Sequence, residues 1–517
     1  MTRTTHIIIG VLAAATLTTA ACERGSSKPP EPTPQPAVAG PTPAQQAEAN
    51  DQKAAEAAAK RAQLAALPPL PGVEAARPVK FPEPQVQTLQ NGLELVVLED
   101  HEVPRVRVSV IVKAGDIYAP IEAPSLAEFT VLLLAEGTTK RDKASFDAQV
   151  DATGGAVMNA IDDEAASVTA DVLSRDAGFA FTAVAEQVTA PLLPESSLKK
   201  VKDQLLQGVD VEKASPFGLS SRMAARAIYG EESPYGRPFP TTAQIEGMTR
   251  EQALSFHARH YVPGNAMLVV AGDIKPAQAK KLADKAFGGW KPGAAVPVPK
   301  AKRPAPAAGP VVYIVDRKAS AQATVLALVP APGIGEPGWL QIRVLEQLLG
   351  GGLSGRLNQV LREQLGLTYG AGAFHNFGYD GGAFYAGGST KTKSAAEFTG
   401  ALLELLRQPG KEAVDAAELR RLLSKISGQF ALEVEGIDTI AAKTVQQRMF
   451  CLAPDFWERY RSEVESITTD SLQQTSRGLL VDQAVHFVVV GRADKLKKEL
   501  ASFGEVRVYD LDLKRVE

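Results

Sequence analysis

The chain has 517 residues, a length that suits two to four domains, and it is 45% hydrophobic, 22% charged and 6% aromatic, close to soluble proteins in general. Its formal net charge of −3 and its pI of about 6.2 argue against nucleic-acid binding, which usually requires a strongly basic face. Its two cysteines, Cys22 and Cys451, provide no disulfide framework. The apolar context of Cys451 predicts a small buried side chain.

The first 22 residues have the pattern of a secretory signal, with Arg3, an apolar run over 7–17 and then small residues. The run is shorter than the roughly 20 residues that span a bilayer. Residues 19–22 read Thr-Ala-Ala-Cys and resemble a bacterial lipobox, which predicts lipidation of Cys22; a plain signal peptide is the alternative. Lipidation would place the protein in a bacterial cell envelope as a membrane-anchored lipoprotein facing the periplasm.

A tether is predicted over residues 23–84. Its first part, 26–43, is rich in proline and suits an extended chain. The next part, 44–67, is rich in alanine and charges and predicts a solvent-exposed helix, and 68–84 is again rich in proline. The folded part is therefore expected to begin near residue 85.

The first folded region, 85–290, opens with β-rich runs around a polar turn. The next helix carries an apolar stripe through Leu126, Phe129, Leu132 and Leu133 and is expected to stop at Gly137. Later elements are predicted from periodicity. They are alternating runs in 154–173, helices at 175–193 and 196–214, a helix, turn and buried strand over 250–274, and a helix at 276–290.

The second region, 311–517, repeats this order after a Pro/Ala-rich linker at 291–310. Gly272 and Gly491 end corresponding strands and lie 219 residues apart. Strands joined by hairpins with helix pairs between them favour an α+β fold whose two domains each have a mainly antiparallel sheet. Strands are predicted at 311–317, 321–333 and within 367–391, helices at 339–351, 354–366, 395–408 and 415–434, and a strand with its helix within 484–504.

The duplication and four local stretches together resemble the M16 peptidases, the insulinase or mitochondrial-processing-peptidase-like family, over about residues 85–510. These stretches are LQNGLELVVLED (89–100), EGTTKR (136–141), FHARHYVPGNAMLVVAGDI (256–274) and GGGLSGRLNQVLREQLGLTYG (350–370). The resemblance implies two homologous domains that form half of a clamshell chamber.

Active members of that family carry H-x-x-E-H on the first helix, where two histidines bind zinc and the glutamate activates water. The same register contains Glu128, Val131 and Leu132, which supply no comparable metal site. We therefore expect no metal in this chain. Three carboxylates fall in the window expected for the family's third ligand: Asp203, Asp210 and Glu212.

Other polar residues favour structural roles. His257 and His260 are three apart, but they lie in a stretch that resembles a non-catalytic part of the family fold. The remaining histidines, His101, His375 and His486, are isolated. Glu128 is interpreted as a solvated or hydrogen-bonded side chain. The glycine-rich stretch 350–357 lacks the G-K-[ST] ending of a phosphate-binding loop and suits a hinge or a substrate contact.

A second constellation matches the family's other half-site. Arg362 and Tyr369 are seven residues apart in LREQLGLTYG, and Gly366 between them can end a helix in a left-handed conformation. The resemblance implies that they donate hydrogen bonds to the substrate carbonyl as it becomes an oxyanion. The alternative is an arginine that covers a helix end and a tyrosine packed in a sheet.

The pattern resembles the non-zinc subunit of a bacterial M16 heterodimer. The expected partners are an M16 subunit with H-x-x-E-H, which would hold the zinc, and a peptide or unfolded protein substrate. No cofactor is expected in this chain. The alternatives are an inert peptide-binding or scaffold lipoprotein, and an independent peptidase with an unrecognised metal set.

Overall fold

The computed structural model of the protein describes residues 81–299 and 309–517. The predicted signal (1–22) with its lipidation site Cys22, and the tether up to residue 80, lie outside the described residues. Within them, no helix combines the length and the apolarity that a bilayer crossing needs.

The first region builds a six-stranded sheet in the order β1-β2-β6-β3-β5-β4. Only the β2–β6 pair is parallel, and the other four neighbouring pairs are antiparallel. The strands are β1 (Gln85–Thr88), β2 (Glu94–Glu99), β3 (Arg105–Val112), β4 (Ala156–Ile161), β5 (Ala166–Leu173) and β6 (Ala266–Gly272).

The second region builds a sheet in the order β12-β7-β11-β8-β10-β9. The β12–β7 and β7–β11 pairs are parallel, and the remaining three are antiparallel. The strands are β7 (Val311–Asp316), β8 (Gln322–Ala331), β9 (Thr368–Gly378), β10 (Gly381–Lys391), β11 (His486–Gly491) and β12 (Glu505–Tyr509).

The predicted duplication is visible in the strand order. Five strands of the first sheet, β2-β6-β3-β5-β4, correspond in order and direction to β7-β11-β8-β10-β9 of the second. Only the outermost strand beside this unit differs, because β1 runs antiparallel to β2 whereas β12 runs parallel to β7. Gly272 and Gly491 end the equivalent strands β6 and β11, as expected.

The first region's predicted helices are confirmed, although several are shorter than predicted. The helix of the opening apolar stripe ends at Leu134, because Glu136 donates its amide to Leu133 O and Gly137 turns the chain with a φ of +108°. The helices are α1 (Leu126–Leu134), α2 (Lys143–Thr153), α3 (Ala177–Thr189), α4 (Leu198–Ala214), α5 (Pro216–Tyr229), α6 (Thr242–Glu246), α7 (Arg250–His260) and α8 (Pro276–Phe287).

One predicted helix of the second region departs from α-helical geometry. The predicted helix at 354–366 is a π-helical segment, Asn358–Gln364. The α-helices are α9 (Trp339–Gly350), α10 (Ala395–Lys411), α11 (Ala416–Glu433), α12 (Ile437–Met449), α13 (Phe456–Glu465), α14 (Thr469–Leu480) and α15 (Ala493–Leu500). Short 3-10 turns lie at Asp116–Tyr118, Ser174–Asp176, Glu195–Ser197, Pro234–Gly236, Pro263–Asn265, Thr392–Ser394 and Ala501–Phe503.

Each sheet is covered on one face by a helix of the other region. Helix α5 packs on β8 and β11 in an apolar cluster with Leu326 and Val488. Helix α12 packs on β6, where Met267 and Val269 join the core of the second region. Ion pairs fix α12 near both ends, Asp438 with Arg105 and Arg107, and Arg448 with Glu94. The two regions therefore share their cores.

Candidate functional site

The residues at the family's zinc positions lie on α1 in an apolar environment. Val131 is 3% exposed, and Leu132 packs against the same core while Glu128 is half-buried. The carbonyl of Val131 accepts a hydrogen bond from Asn159 Nδ2 at 3.4 Å. Valine and leucine side chains offer no lone pair to a metal.

The neighbouring helix α4 does not replace the missing ligands. Its buried residues Val201 and Leu205 belong to the cluster that contains Val131. Asp203 pairs with Lys199 at 2.6 Å, and Glu212 receives two hydrogen bonds from Arg222, at 3.0 and 2.9 Å. Asp210 is exposed. The residues at this place do not fit a zinc ion.

The histidines have partners of their own. His257 Nε2 lies 2.8 Å from Val188 O, and His375 Nε2 lies 2.8 Å from Pro332 O. Burial lowers the pKa of His375 and of His260 to about 4 in each case. His101 lies on the surface, where its hydrogen bond to Asp273 raises its pKa. His486 Nδ1 accepts the amide of Val311 at 3.1 Å.

Across residues 81–299 and 309–517, no three His, Cys, Asp or Glu side chains form a group that could hold a metal ion.

Arg362 and Tyr369 come together on the surface of the second domain. Arg362 lies in the π-helical segment and Tyr369 is the second residue of β9. The guanidinium carbon of Arg362 lies 5.2 Å from the ring centroid of Tyr369, a cation–π geometry. Tyr369 is 80% exposed, which excludes a tyrosine packed inside the sheet. Arg362 Nε pairs with Glu363 at 3.2 Å.

The local backbone explains how residues seven apart meet. The π winding is visible in the bond from Leu365 N to Val360 O, 2.9 Å long and five residues apart. Gly366 then takes a φ of +62°, the left-handed conformation predicted for it, and reverses the chain into β9. Leu367 N closes the turn on Leu361 O at 2.8 Å. Wide turns of this kind recur at functional sites.

Exposed apolar side chains accompany the pair. Leu353 in the preceding glycine-rich stretch is 69% exposed, and Leu365 is 46% exposed. An arginine and a phenol beside apolar surface suit the binding of a peptide, since the apolar groups contact side chains while the polar groups bind the backbone carbonyl. Their catalytic roles remain predictions.

Two further polar features were missed in the sequence. Asn358, at the start of the π-helical segment, bonds to the backbone of Ala371 in β9. Glu164, in the β4–β5 turn, accepts a hydrogen bond from Tyr235 Oη at 2.8 Å, and Tyr235 Oη accepts the amide of Tyr379 at 3.0 Å. Asparagine and glutamate are too common in loops for either to be singled out without the fold.

Glu164 is an ionisable group at a junction between the two domains, because Tyr379 lies in the β9–β10 turn. Burial raises the pKa of Glu164 well above its ordinary value, and the negative charges of Asp163 and Asp162 raise it further. The same burial raises the pKa of Tyr235. Glu164 therefore favours its neutral form.

The prediction for Cys451 is wrong. Its side chain is exposed and its φ is +52°. The preceding residue, Phe450, takes the interior position, where its ring lies 5.3 Å from that of Tyr379 and 5.6 Å from that of Phe377. The chain reverses after α12, and the reversal turns the cysteine outward.

Comparison with known proteins identifies the family. The sequence profile of the insulinase family, peptidase family M16, matches residues 95–234, and the profile described as the peptidase M16 inactive domain matches residues 247–426. Together the two matches cover more than half of the chain. The chain therefore belongs to the M16 peptidase family.

Relatives and solved structures agree with this assignment. A Rickettsia felis protein described as an uncharacterized zinc protease is 26% identical over 311 residues, 59% of this chain and 73% of that protein. A Mycobacterium leprae protein with the same description is 27% identical over 349 residues, 67% of this chain and 78% of that protein.

The solved structures establish the fold. A peptidase M16 inactive domain from Pseudomonas fluorescens has a TM-score of 0.73 at 22% identity, over 79% of this chain and 98% of that one. A chain of complex III2 from Candida albicans has a TM-score of 0.68 at 14% identity, over 81% and 99%. The predicted α+β fold with two M16-type domains is confirmed.

Proposed function

We propose that this chain is the non-zinc subunit of a bacterial M16-type zinc metallopeptidase heterodimer. It would bind peptide and supply Arg362 and Tyr369 to an active site whose H-x-x-E-H motif and zinc belong to the partner. One observation carries the proposal. Helix α1, at the place of the family's zinc-binding helix, is packed in an apolar cluster, whereas Arg362 lies over the ring of Tyr369 on an exposed face.

The chemistry of the pair suits an oxyanion. A guanidinium and a phenol are both hydrogen-bond donors, and neither needs to lose a proton to stabilise negative charge on a peptide carbonyl oxygen. Stacking on the ring of Tyr369 limits the rotamers of Arg362, so less conformational entropy is lost when the substrate binds. Loss of one such donor typically reduces transition-state stabilisation by about 2.7–4 kcal/mol.

An inert peptide-binding or scaffold lipoprotein of the cell envelope is the second candidate. Its support is the apolar environment of α1, because the side chains of Val131 and Leu132 pack in a hydrophobic cluster and offer a zinc ion no ligand. In that case the Arg362–Tyr369 pair would hold a peptide without assisting its cleavage. An independent peptidase would require a metal group that the described residues do not contain.

Anchoring at a membrane is part of the proposal. Lipidation of Cys22 would hold the two domains at the periplasmic side of the envelope through the tether 23–84. The mass of the N-terminal peptide from the purified protein tests this, because an acylated Cys22 would be heavier by its fatty acids. A free N-terminus elsewhere would refute lipidation.

The test of the enzymatic role uses the detergent-solubilised chain and the H-x-x-E-H M16 chain from the same genome. Each is assayed alone and in a mixture with a quenched fluorescent peptide, with and without a chelator. We expect chelator-sensitive cleavage that needs both chains, and a reduction of kcat/KM by about 10²–10³-fold with Arg362→Ala or Tyr369→Phe. If the partner cleaves the peptide at the same rate with and without this chain, the result would support the scaffold role.

A matched control comes from the same domain. Arg507 lies 5.9 Å from the ring of Tyr313, another arginine over a tyrosine, on strands β12 and β7. Arg507→Ala removes a comparable contact away from the proposed site. Its kcat/KM should stay within about twofold of that of the unmodified mixture. An equal loss in Arg507→Ala and Arg362→Ala would contradict a specific role for Arg362.

A further inference from the structure

The side chain of Asn358 joins the two arms that carry Arg362 and Tyr369. Asn358 is 5% exposed, and its Oδ1 accepts the amide of Ala371 at 2.9 Å. Its Nδ2 donates to Ala371 O at 2.8 Å and to Gly352 O at 3.0 Å. Both amide hydrogens of the side chain are thus used, and both backbone groups of Ala371 are satisfied by one residue.

The side chain of Asn358 takes the place of a neighbouring strand at the edge of the sheet. β9 is an edge strand whose only partner in the described sheet is β10, and Ala371 is opposite Gly388. The two groups of Ala371 that Asn358 binds are those that a further strand would bind on the free side. Loss of these bonds would leave buried polar groups of Asn358 and Ala371 unpaired, which is unfavourable.

The position of the bonds matters for the pair. Asn358 precedes Arg362 by four residues, and Ala371 follows Tyr369 by two. The bonds therefore close a loop that contains both side chains and the reversal at Gly366. Within this loop the π winding sets where the guanidinium lies relative to the ring.

We infer that Asn358 is a positioning residue that fixes Arg362 over Tyr369 by binding the π-helical segment to β9. The inference rests on the proposed function for its catalytic consequence, although the placement itself is a property of this chain alone. A misplacement of about 1 Å at a catalytic group can reduce a rate by about 10²-fold. Asn358 would therefore affect kcat without touching the substrate.

The variants are chosen to separate position from stability. Asn358→Asp has the same shape but loses the two donated hydrogen bonds and sets a carboxylate against two carbonyl oxygens. Asn358→Ser is uncharged and removes the bidentate contact. Asn265 provides the matched control, since it is 2% exposed and bonds to Lys113 O, His260 O and the amide of Val296, at 2.9, 2.9 and 3.1 Å.

The first measurement needs no partner. The full chain carries 3-fluorotyrosine at position 369, and its ¹⁹F resonance is compared among variants. Arg362→Ala should shift the resonance because it removes the stacked guanidinium, and Asn358→Asp and Asn358→Ser should shift it too. Asn265→Asp should leave it unchanged. The inference would be overturned if Arg362→Ala shifts the resonance but neither Asn358 variant does. It would also be overturned if Arg362→Ala leaves the resonance unchanged.

The second measurement uses the mixture of the two chains. We expect Asn358→Ser to lower kcat by about 10–100-fold while KM changes by less than about threefold, and Asn265→Ser to leave both near their original values at equal folded fraction. Equal losses in the two variants would reduce Asn358 to a structural residue. If the mixture never cleaves peptide, the proposed function fails, and the ¹⁹F comparison still decides the positioning role.

Discussion

The side chains of Glu128, Val131 and Leu132 supply no metal site, whereas Arg362 and Tyr369 keep donor groups on an exposed face. The contrast depends on single residues, because the backbone that carries them retains the family fold in both domains. Burial makes the apolar side chains at positions 131 and 132 hard to replace with metal-binding ones. A glutamate at position 131 or a histidine at position 132 would enter a packed apolar cluster, where either polar side chain needs a hydrogen-bond partner.

Glu164 gives a prediction for pH dependence. Its pKa is raised in the folded protein from an ordinary value near 4.5, so folding favours the protonated form. Stability from this group is complete below about pH 4.5 and is lost as the pH rises toward the folded pKa. Glu164→Gln keeps an acceptor for Tyr235 and cannot ionise. The variant should therefore gain stability over the unmodified chain as pH rises, by up to about 1.4 kcal/mol per pH unit.

Denaturant unfolding of both proteins at pH 5 and pH 8 checks this. The groups that face Glu164 are Asp162, Asp163, Tyr235, Tyr379 and Tyr118, and all are retained in the variant. Titration elsewhere therefore cancels in the difference to first order. A difference in unfolding free energy that does not change between the two pH values would contradict a neutral Glu164. Tyr235→Phe serves as a control, since it removes the hydrogen bond without removing the carboxyl group.

At the scale of elements, the edge strands of the two sheets differ. β4 pairs only with β5 in the described sheet, and it contacts α1. The free edge of the corresponding strand β9 is occupied, because Asn358 binds Ala371. Gly350 also lies against this edge, so close that a Cβ added to it would be 2.1 Å from the amide nitrogen of Ala373. An extended peptide can add to a free edge of a sheet. We therefore expect the substrate backbone to pair with the edge of β4 and not with that of β9, where Tyr369 would contact the substrate through its side chain.

Met158 provides the test of the β4 edge. It is 46% exposed in the middle of β4 and would lie beside an added strand. Met158→Glu should weaken binding of a neutral, unfolded fluorescent peptide to this chain by several-fold, because it replaces apolar contact with a solvated charge. Fluorescence anisotropy measures the affinity. Val103→Glu, at a 60% exposed position outside the strands, is the control, and equal weakening in both variants would argue against the edge.

Sequence patterns located most of these elements but not their special geometry. The alternating runs at 154–173 and the strand-rich stretch 367–391 became the hairpins β4–β5 and β9–β10. The π winding of 358–364 could not be predicted, because it accompanies contacts made across a chain reversal, such as that of Asn358 with Ala371. Arg362 and Tyr369 were found through the family resemblance and their spacing. Their stacking required the observed turn at Gly366.

At the scale of the whole molecule, the two domains exchange helices, because each domain supplies a helix that covers the other domain's sheet. Strands such as β6 and β11 are buried at almost every position, a pattern typical of strands covered on both faces. The sequence predicted a buried strand within 250–274, which is β6, without identifying the elements that cover its faces. It did not indicate that α5 and α12 cover the sheets, since neither segment was assigned as a helix and each covers the other domain's sheet.

This exchange predicts that the domains do not fold apart. A protease site placed within residues 300–308 allows the chain to be cut after folding. The cut protein should elute as one species and unfold in one transition, because α5 stays on the second sheet and α12 on the first. Separately expressed halves, ending and beginning at that site, would each expose an apolar sheet face, and such faces promote aggregation. They should be soluble when produced together and insoluble alone. Gel filtration and denaturant unfolding measure both properties, and a half that is monomeric and unfolds cooperatively by itself would show that the shared packing is dispensable.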